Sequence, residues 1–401
     1  MSRHRLTIVL VAMIVLAAAG YGVMFTILDD LRDAYGVSES GLGAVVAVGF
    51  FASFIAQVAL APRADRGHAK ALLVNGLVLQ VIGLAVMAFA DTLALLLLAR
   101  AVMGIGAGMM NPAARRIVVL AEPENMGRNI GRMLSADVVG FAIGPAVSAV
   151  LVEPFGIAAP FLLICALTLP LIPIALRTHV EETEPTAANS ARFAFDLLRH
   201  RAYLATVLFG ATVFIMIGTF DVLWVLVLDD LGAADWMSNL GIILFAVPLV
   251  VFGPLGGRWA QEFGPFRLAT IGLVIGAASI IGYGYWPTAG VMFAFAMVHA
   301  LNDGLTVTSS GVAVAMVAPA ERQAGAQGLL GGVQTLVGGL TSLAAGALYE
   351  SQGRAAVYTA TGVVMLLVVG VAVVLLGRDW SGRPVAVGHA ASATAPVASA
   401  H

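Results

Sequence analysis

The sequence predicts an all-α membrane protein of twelve transmembrane helices, arranged as two six-helix pseudo-repeats. Three observations predict it. The first is composition: 60% of the 401 residues are apolar and only 11% are charged, where a soluble domain carries about 25% Asp, Glu, Lys and Arg. So few charges cannot cover a water-facing surface, whereas a surface of Leu, Val and Ala suits lipid. The second is a series of apolar runs of spanning length, and the third is a weak repeat of the first half of the chain in the second.

The first run begins behind Arg3-His4-Arg5 and has the form of a secretory leader as far as Gly20. Its apolar character continues to Leu28, and 23 residues at 1.5 Å each exceed the roughly 30 Å of a bilayer core. It is therefore read as the first span, residues 6–28. The next five runs are 41–61, 69–90, 92–119, 129–152 and 156–177. A polar interruption at 178–200 holds Glu181, Glu182, Glu184 and Pro185. Six further runs follow at 201–228, 236–257, 266–286, 288–317, 325–349 and 354–377. The expected organisation is thus an N-terminal half over 1–177, a central cytoplasmic loop over 178–200 and a C-terminal half over 201–377. A tail at 378–401, nearly free of bulky residues, is expected to be disordered.

Charge tests this topology. Of the 21 Lys and Arg, all but three fall on the side of the N-terminus; Arg32 and Arg354 fall on the other, and Arg100 lies within a span. Positive residues are retained in the cytoplasm, so both termini are expected there, with the chain in the cell's inner membrane. A wrong count of spans would have scrambled the division. The lone cysteine, Cys165, allows no intrachain disulfide.

The repeat runs at an offset near 200. Leu28-Asp29-Asp30-Leu31 matches Leu228-Asp229-Asp230-Leu231, with Ser38 and Gly41 matching Ser238 and Gly241. Gly76-Leu77-Val78 matches Gly272-Leu273-Val274, and Gly156 with Ala159 matches Gly353 with Ala356. Parallel six-span halves place a substrate site between them, near the bilayer midplane.

Three segments carry a family resemblance. The loop Ala61-Pro62-Arg63-Ala64-Asp65-Arg66-Gly67-His68-Ala69-Lys70 is similar to a Gly-x-Leu-Ala-Asp-Arg-x-Gly-Arg-Lys signature. It departs at Ala61, at Arg63 (in place of an apolar residue) and at His68. Span four carries Arg100, Gly104, Gly106 and Gly108, similar to an Arg-x-x-x-Gly-x-Gly pattern. Span five carries Gly140, Gly144 and Pro145, with Ser148-Ala149 where a glycine pair would complete an antiporter-type motif. With its twelve spans the chain resembles the major facilitator superfamily, and within it the drug/proton antiporter branch. The resemblance implies that Asp65 and Arg66 belong to a gating loop that latches the cytoplasmic side by charge pairing, with Arg115 or Arg116 as the partner of Asp65. The span-five motif implies export, while its glycines taken alone indicate only close helix packing.

Five ionisable groups remain within spans: Arg100, Asp137, Asp221, His299 and Asp303. Charges in lipid are costly and mark pathways or relays. Arg100 stays protonated, so it is read as a cavity charge that binds anions or favours ionisation of a neighbouring acid. Burial disfavours a charged carboxylate, which makes Asp303, His299, Asp137 and Asp221 candidates for proton coupling. His299 and Asp303 are four apart and share a helix face; Thr306 and Ser310 continue the stripe beside Asn302, and the stripe is expected to face the central cavity. Asp137 is within reach of a pairing with Arg100, which would make it structural. Asp221 is expected in a water-filled vestibule near Phe220 and Trp224. Tyr21, Phe25, Phe220, Trp224 and Asn302 are candidates to line a substrate site, although aromatic residues in spans more commonly face lipid.

The expected function is secondary active transport: proton-coupled efflux of small amphipathic compounds by alternating access. The alternative is an importer or facilitator of a small metabolite or sugar, and a more remote one is a membrane sensor. The expected partners are a small-molecule substrate, protons and the bilayer, with no nucleic acid, no cofactor and no metal, and the chain is expected to be a monomer. No HExxH or GxSxG motif is present, and the single lysine, Lys70, does not sit in a phosphate-binding loop. An enzyme is not expected.

Overall fold

A computed structural model describes residues 3–182, 184 and 192–381, and every element among the described residues is helical. The spanning helices are α1 (Arg3–Thr26), α2 (Glu39–Leu60), α3 (Ala69–Ala88), α4 (Leu93–Ala121), α5 (Met126–Phe155) and α6 (Ala158–Arg177). They continue as α7 (Arg201–Asp230), α8 (Asp235–Phe263), α9 (Pro265–Tyr283) and α10 (Ala289–Val317). A final helical run, Gln323–Leu376, has 54 residues, about twice what crosses a bilayer. Gly353 divides it into α11 (323–352) and α12 (354–376), because its φ of 79° lies outside the helical region.

Local chemistry sets these boundaries. Thr92 caps α4 by accepting from Leu95 N, and Thr288 caps α10 by accepting from Val291 N, at equivalent points of the two halves. Gly156 before α6 has φ 82° and Gly353 before α12 has φ 79°. No atom crowds either glycine, so the backbone conformation itself selects glycine there. The matched pair noticed in the sequence is thus one turn used twice.

The outer surface is apolar in the manner of a bilayer face. Phe51, Leu98, Leu343 and Val374 are each more than half exposed, a pattern that water would penalise and lipid does not. Small residues bring the helices together. A Cβ on Gly140 would overlap the Val15 carbonyl of α1, and one on Gly144 would press on the backbone of Gly22 and Val23. The antiporter-type motif therefore forms the contact between α5 and α1, with Pro145 lying against Gly22.

The first six helices meet the last six through α5 against α8 and α2 against α11. A Cβ on Gly127 would overlap the Gly257 carbonyl, and a Cβ on Gly131 would overlap that of Gly253. These glycines lie at the end of the bundle where α1 begins and where most basic residues gather, called the basic face below.

One boundary, the start of the tail, differs from the sequence reading. Arg378 to Ser381, assigned to a disordered tail, close a short 3-10 turn, and Trp380 Nε1 donates to Thr270 Oγ1 at 2.9 Å. The rest of that tail lies outside the described residues. The central loop likewise carries a 3-10 turn, Phe195–Arg199.

Candidate functional site

Ionisable groups collect at three places. The first is the basic face. Asp65 is buried at the end of the 3-10 turn Ala61–Arg66, and its carboxylate accepts from Ala324 N at 2.8 Å and Gly325 N at 2.7 Å. Both donors belong to the first turn of α11, where amides have no partner within the helix. Arg116 Nε lies 3.3 Å from Asp65 Oδ1, both side chains almost fully buried. Of the two arginines left open by the sequence, Arg116 faces Asp65. Arg115 faces Asp137 of α5 instead, at 3.7 Å. This corrects the expected pairing of Asp137 with Arg100. Arg66 Nε donates to the Pro62 carbonyl at 3.3 Å.

A counterpart contact joins α8 to the start of α5. Gln261 accepts from Gly127 N at 2.8 Å and donates to the carbonyls of Pro123 and Glu124. The loop from the middle of the chain adds a further tie: Asp196 receives both Nη atoms of Arg322, at 2.8 and 2.7 Å. This fork holds the Asp196 carboxyl below its ordinary range.

The second place is the interior of the first half. Arg100 of α4 is fully buried, with its guanidinium 4.1 Å from the centroid of the Tyr21 ring in α1. Among the described residues its three nitrogens have no hydrogen-bond partner. Gly49 of α2 makes the space, because a Cβ there would press against Arg100 Nε at 2.7 Å. A cation over an aromatic face is favourable, but it leaves the directional donors of the guanidinium unused.

The third place is the interior of the second half. His299 Nε2 lies 3.5 Å from Asp303 Oδ1, and Tyr283 OH lies 2.9 Å from His299 Nδ1. Asn302 Nδ2 donates to Asp303 Oδ1 and to the Gly272 carbonyl, each at 3.1 Å. His299 and Asp303 are 2% and 3% exposed, and Gly276 of α9 and Met216 of α7 pack beside the imidazole. The polar stripe is therefore turned into its own half, against α9, in place of the expected central cavity. The reason is supply: Tyr283 and Gly272 offer partners within the bundle, so the stripe needs no water.

Aromatic side chains close over this group. Phe220 stacks on Trp224 at 4.8 Å and meets Phe245 at 4.4 Å, while Phe245 stands edge-on to His299. Phe220 and Trp224 are thus buried in a wall and do not present open faces as substrate-lining residues would. Asp221, one position from Phe220, is exposed. Tyr21 and Asn302 are half-buried, and the side chain of Phe25 lies outside the described residues.

Sequence reasoning missed Tyr283 and Gln57. Gln57 was findable as an amide in an apolar run; it reaches Thr335 of α11 at 3.5 Å across the two halves. Tyr283 carried no signal, since a tyrosine near a span end ordinarily anchors the headgroup region.

Two six-helix bundles, each enclosing a few charges of its own, make up a multi-pass membrane protein, and the family its sequence matches makes it a transporter and not an enzyme. The chain belongs to the Major Facilitator Superfamily, whose family model matches residues 10–234 and again 213–399. It is 23% identical to the multidrug resistance protein MdtG of Proteus mirabilis over 303 residues, 71% of this chain and 75% of that one. It is 26% identical to the synaptic vesicular amine transporter of Bos taurus over 239 residues, 56% of this chain and 46% of that one. Among solved structures, the human organic anion transporter MFSD10 superposes with a TM-score of 0.75 at 16% identity, covering 93% of this chain and all of that one. The fucose:proton symporter FucP of E. coli gives 0.74 at 14% identity, over 94% and 99%.

Proposed function

We propose that this chain is a proton-coupled exporter of small amphipathic compounds, working as a monomer in the cell's inner membrane with both termini in the cytoplasm. The observation that carries the coupling is the enclosed contact of Tyr283, His299 and Asp303. A carboxyl and an imidazole in contact offer a proton two adjacent acceptors. Whichever of them takes the proton, its hydrogen bonds to Tyr283 and Asn302 must be remade, which links protonation to the packing of α9 against α10. Asp137, held by Arg115, and exposed Asp221 are second candidates for the same proton.

Support for export comes from the likeness to MdtG, a multidrug resistance protein, and from Gly140, Gly144 and Pro145, which resemble the antiporter motif. In this reading Asp65, Arg116 and Gln261 hold the basic face shut while the opposite face is open. Parting α5 from α8 and α2 from α11 would expose the site to the cytoplasm. Arg100 stands ready for an anionic group of a substrate or for the ionised form of an acid.

The test uses everted membrane vesicles energised by respiration. Accumulation of a lipophilic fluorescent dye should collapse on adding an uncoupler, and Asp303→Asn should abolish the coupled part while leaving the protein in the membrane. Unchanged coupled transport in Asp303→Asn would discard the coupling assignment, and accumulation only in right-side-out vesicles would replace export with import.

A further inference from the structure

A cavity of about 460 Å³ opens beside the Asp65 turn, lined by Ala59, Leu60, Arg63, Arg66 and Arg192. Among the described residues that line it, three are arginines and none is an acid. Arg63 and Arg66 come from the turn after α2, whereas Arg192 comes from the loop that links the two halves. Three guanidinium groups around one space repel one another, so the arrangement favours an anion. Arg66 is already aimed by its bond to the Pro62 carbonyl, and Arg192 lies over the Phe193 ring at 5.3 Å.

Position narrows the class of anion. Ala59 and Leu60 are the last residues of a helix of spanning length, and both are half-exposed. The cavity therefore has an apolar floor at the end of a span and a basic roof at headgroup level. Basic pockets between spanning helices on the cytoplasmic side suit lipid phosphates, and guanidinium groups match phosphate oxygens in pairs. The volume falls within the range of about 300–1,000 Å³ typical of small-ligand sites.

We infer that this cavity binds the phosphate of an anionic phospholipid. Arg63 and Arg66 hold it from the first half and Arg192 from the linking loop. That loop is fixed to α11 nearby: Asp196 grips Arg322, and Ala194 lies against Gly325. A phosphate held by all three arginines ties the first half to the anchor of the second, beside the Asp65 contact. Arg63 stands where the resembling loop has an apolar residue, so the site belongs to this chain's own sequence. The inference concerns binding alone and does not depend on what is transported.

The experiment is native mass spectrometry of the detergent-purified full chain titrated with phosphatidylglycerol, with phosphatidylethanolamine and with inorganic phosphate. Each arginine near an anionic headgroup contributes roughly fivefold in affinity. Arg63→Gln with Arg192→Gln should therefore weaken phosphatidylglycerol binding about 30-fold, while Arg63→Lys with Arg192→Lys keeps most of it. Arg199→Gln, on the same loop but outside the cavity, should change nothing. Equal binding by the double glutamine variant and the parent overturns the site. Preference for inorganic phosphate over phosphatidylglycerol overturns the lipid assignment, and equal response to the zwitterionic lipid overturns the requirement for net negative charge.

Discussion

The Tyr283 hydroxyl meets Nδ1 of His299 at 2.9 Å, across the contact of α9 with α10 and out of reach of bulk water. Removing that hydroxyl leaves an imidazole nitrogen without its partner in a closed space. Tyr283→Phe should lower the stability of the detergent-solubilised protein by about 1–3 kcal/mol, read as a drop in unfolding temperature. If the group carries the coupled proton, the pH profile of transport should move as well. A Tyr283→Phe protein that unfolds at the parent's temperature would show that the bond contributes nothing.

Asp65 and Arg116 are the most deeply placed pair of the basic face. Breaking a buried pair costs about 3–5 kcal/mol, because one charge remains uncompensated. Asp65→Asn should therefore loosen the start of α11, so that a cysteine placed at Ala324 reacts with a water-soluble maleimide faster than in the parent background. A combined Asp65→Asn and Arg116→Gln variant should recover part of the loss, since no lone charge is then stranded. Equal maleimide rates in parent and single variant would show that the carboxylate does not hold the helix end.

Asp196 offers a pH test with a definite sign. Its two bonds from Arg322 keep its carboxyl below the ordinary value. A group depressed on folding stabilises above its unfolded pKa, near 3.9, and loses that contribution as pH falls through the folded value. Asp196→Asn should thus narrow the gap in unfolding temperature between pH 7 and pH 3. A gap identical in parent and variant counts against the fork, whose carboxylate is half-exposed and partly screened.

Gly131 permits backbone contact between α5 and the carbonyl of Gly253. Gly131→Ala places a methyl group where no atom fits, and overpacking of this kind costs about 1–3 kcal/mol. Because the strain exists only while the two halves are together on this face, it should bias the protein toward the opposite opening. Labelling of a cysteine introduced at Ser135, which lies against the Val250 carbonyl across the seam, by a water-soluble maleimide should rise in yield in the Gly131→Ala background. Unaltered yield would mean that the seam has slack.

Much of the architecture was legible because lipid imposes simple rules. Apolar runs had to be about 20 residues long and basic residues had to stay on one face, so helix number followed from Arg63, Arg115 and Arg258 as much as from hydropathy. Gly156 and Gly353 disclosed the repeat, since a left-handed backbone leaves few choices of residue. The sites were less legible, because their partners come from distant helices. Asp137 was paired with Arg100 from the sequence, whereas Arg115, about four turns further along α4 and closer to its depth, is the arginine that α5 meets. The stripe of His299 and Asp303 could be placed on one face of α10 by spacing alone, but which neighbour that face meets depends on packing. Asp65 was read from its loop, yet its principal donors are two backbone amides with no side-chain signature.

The seam of α5 and α8 has a consequence for motion. It joins Gly127 and Gly131 to Gly253 and Gly257 through Cα hydrogens and carbonyl oxygens, with no large apolar side chain crossing at these positions. When the helices part there, the newly bared groups are ones that water hydrates readily, so separation strips little oil from oil. A door hung on such an edge swings with a small thermal push and reseats in the same register, whereas leucines in those four places would have glued it.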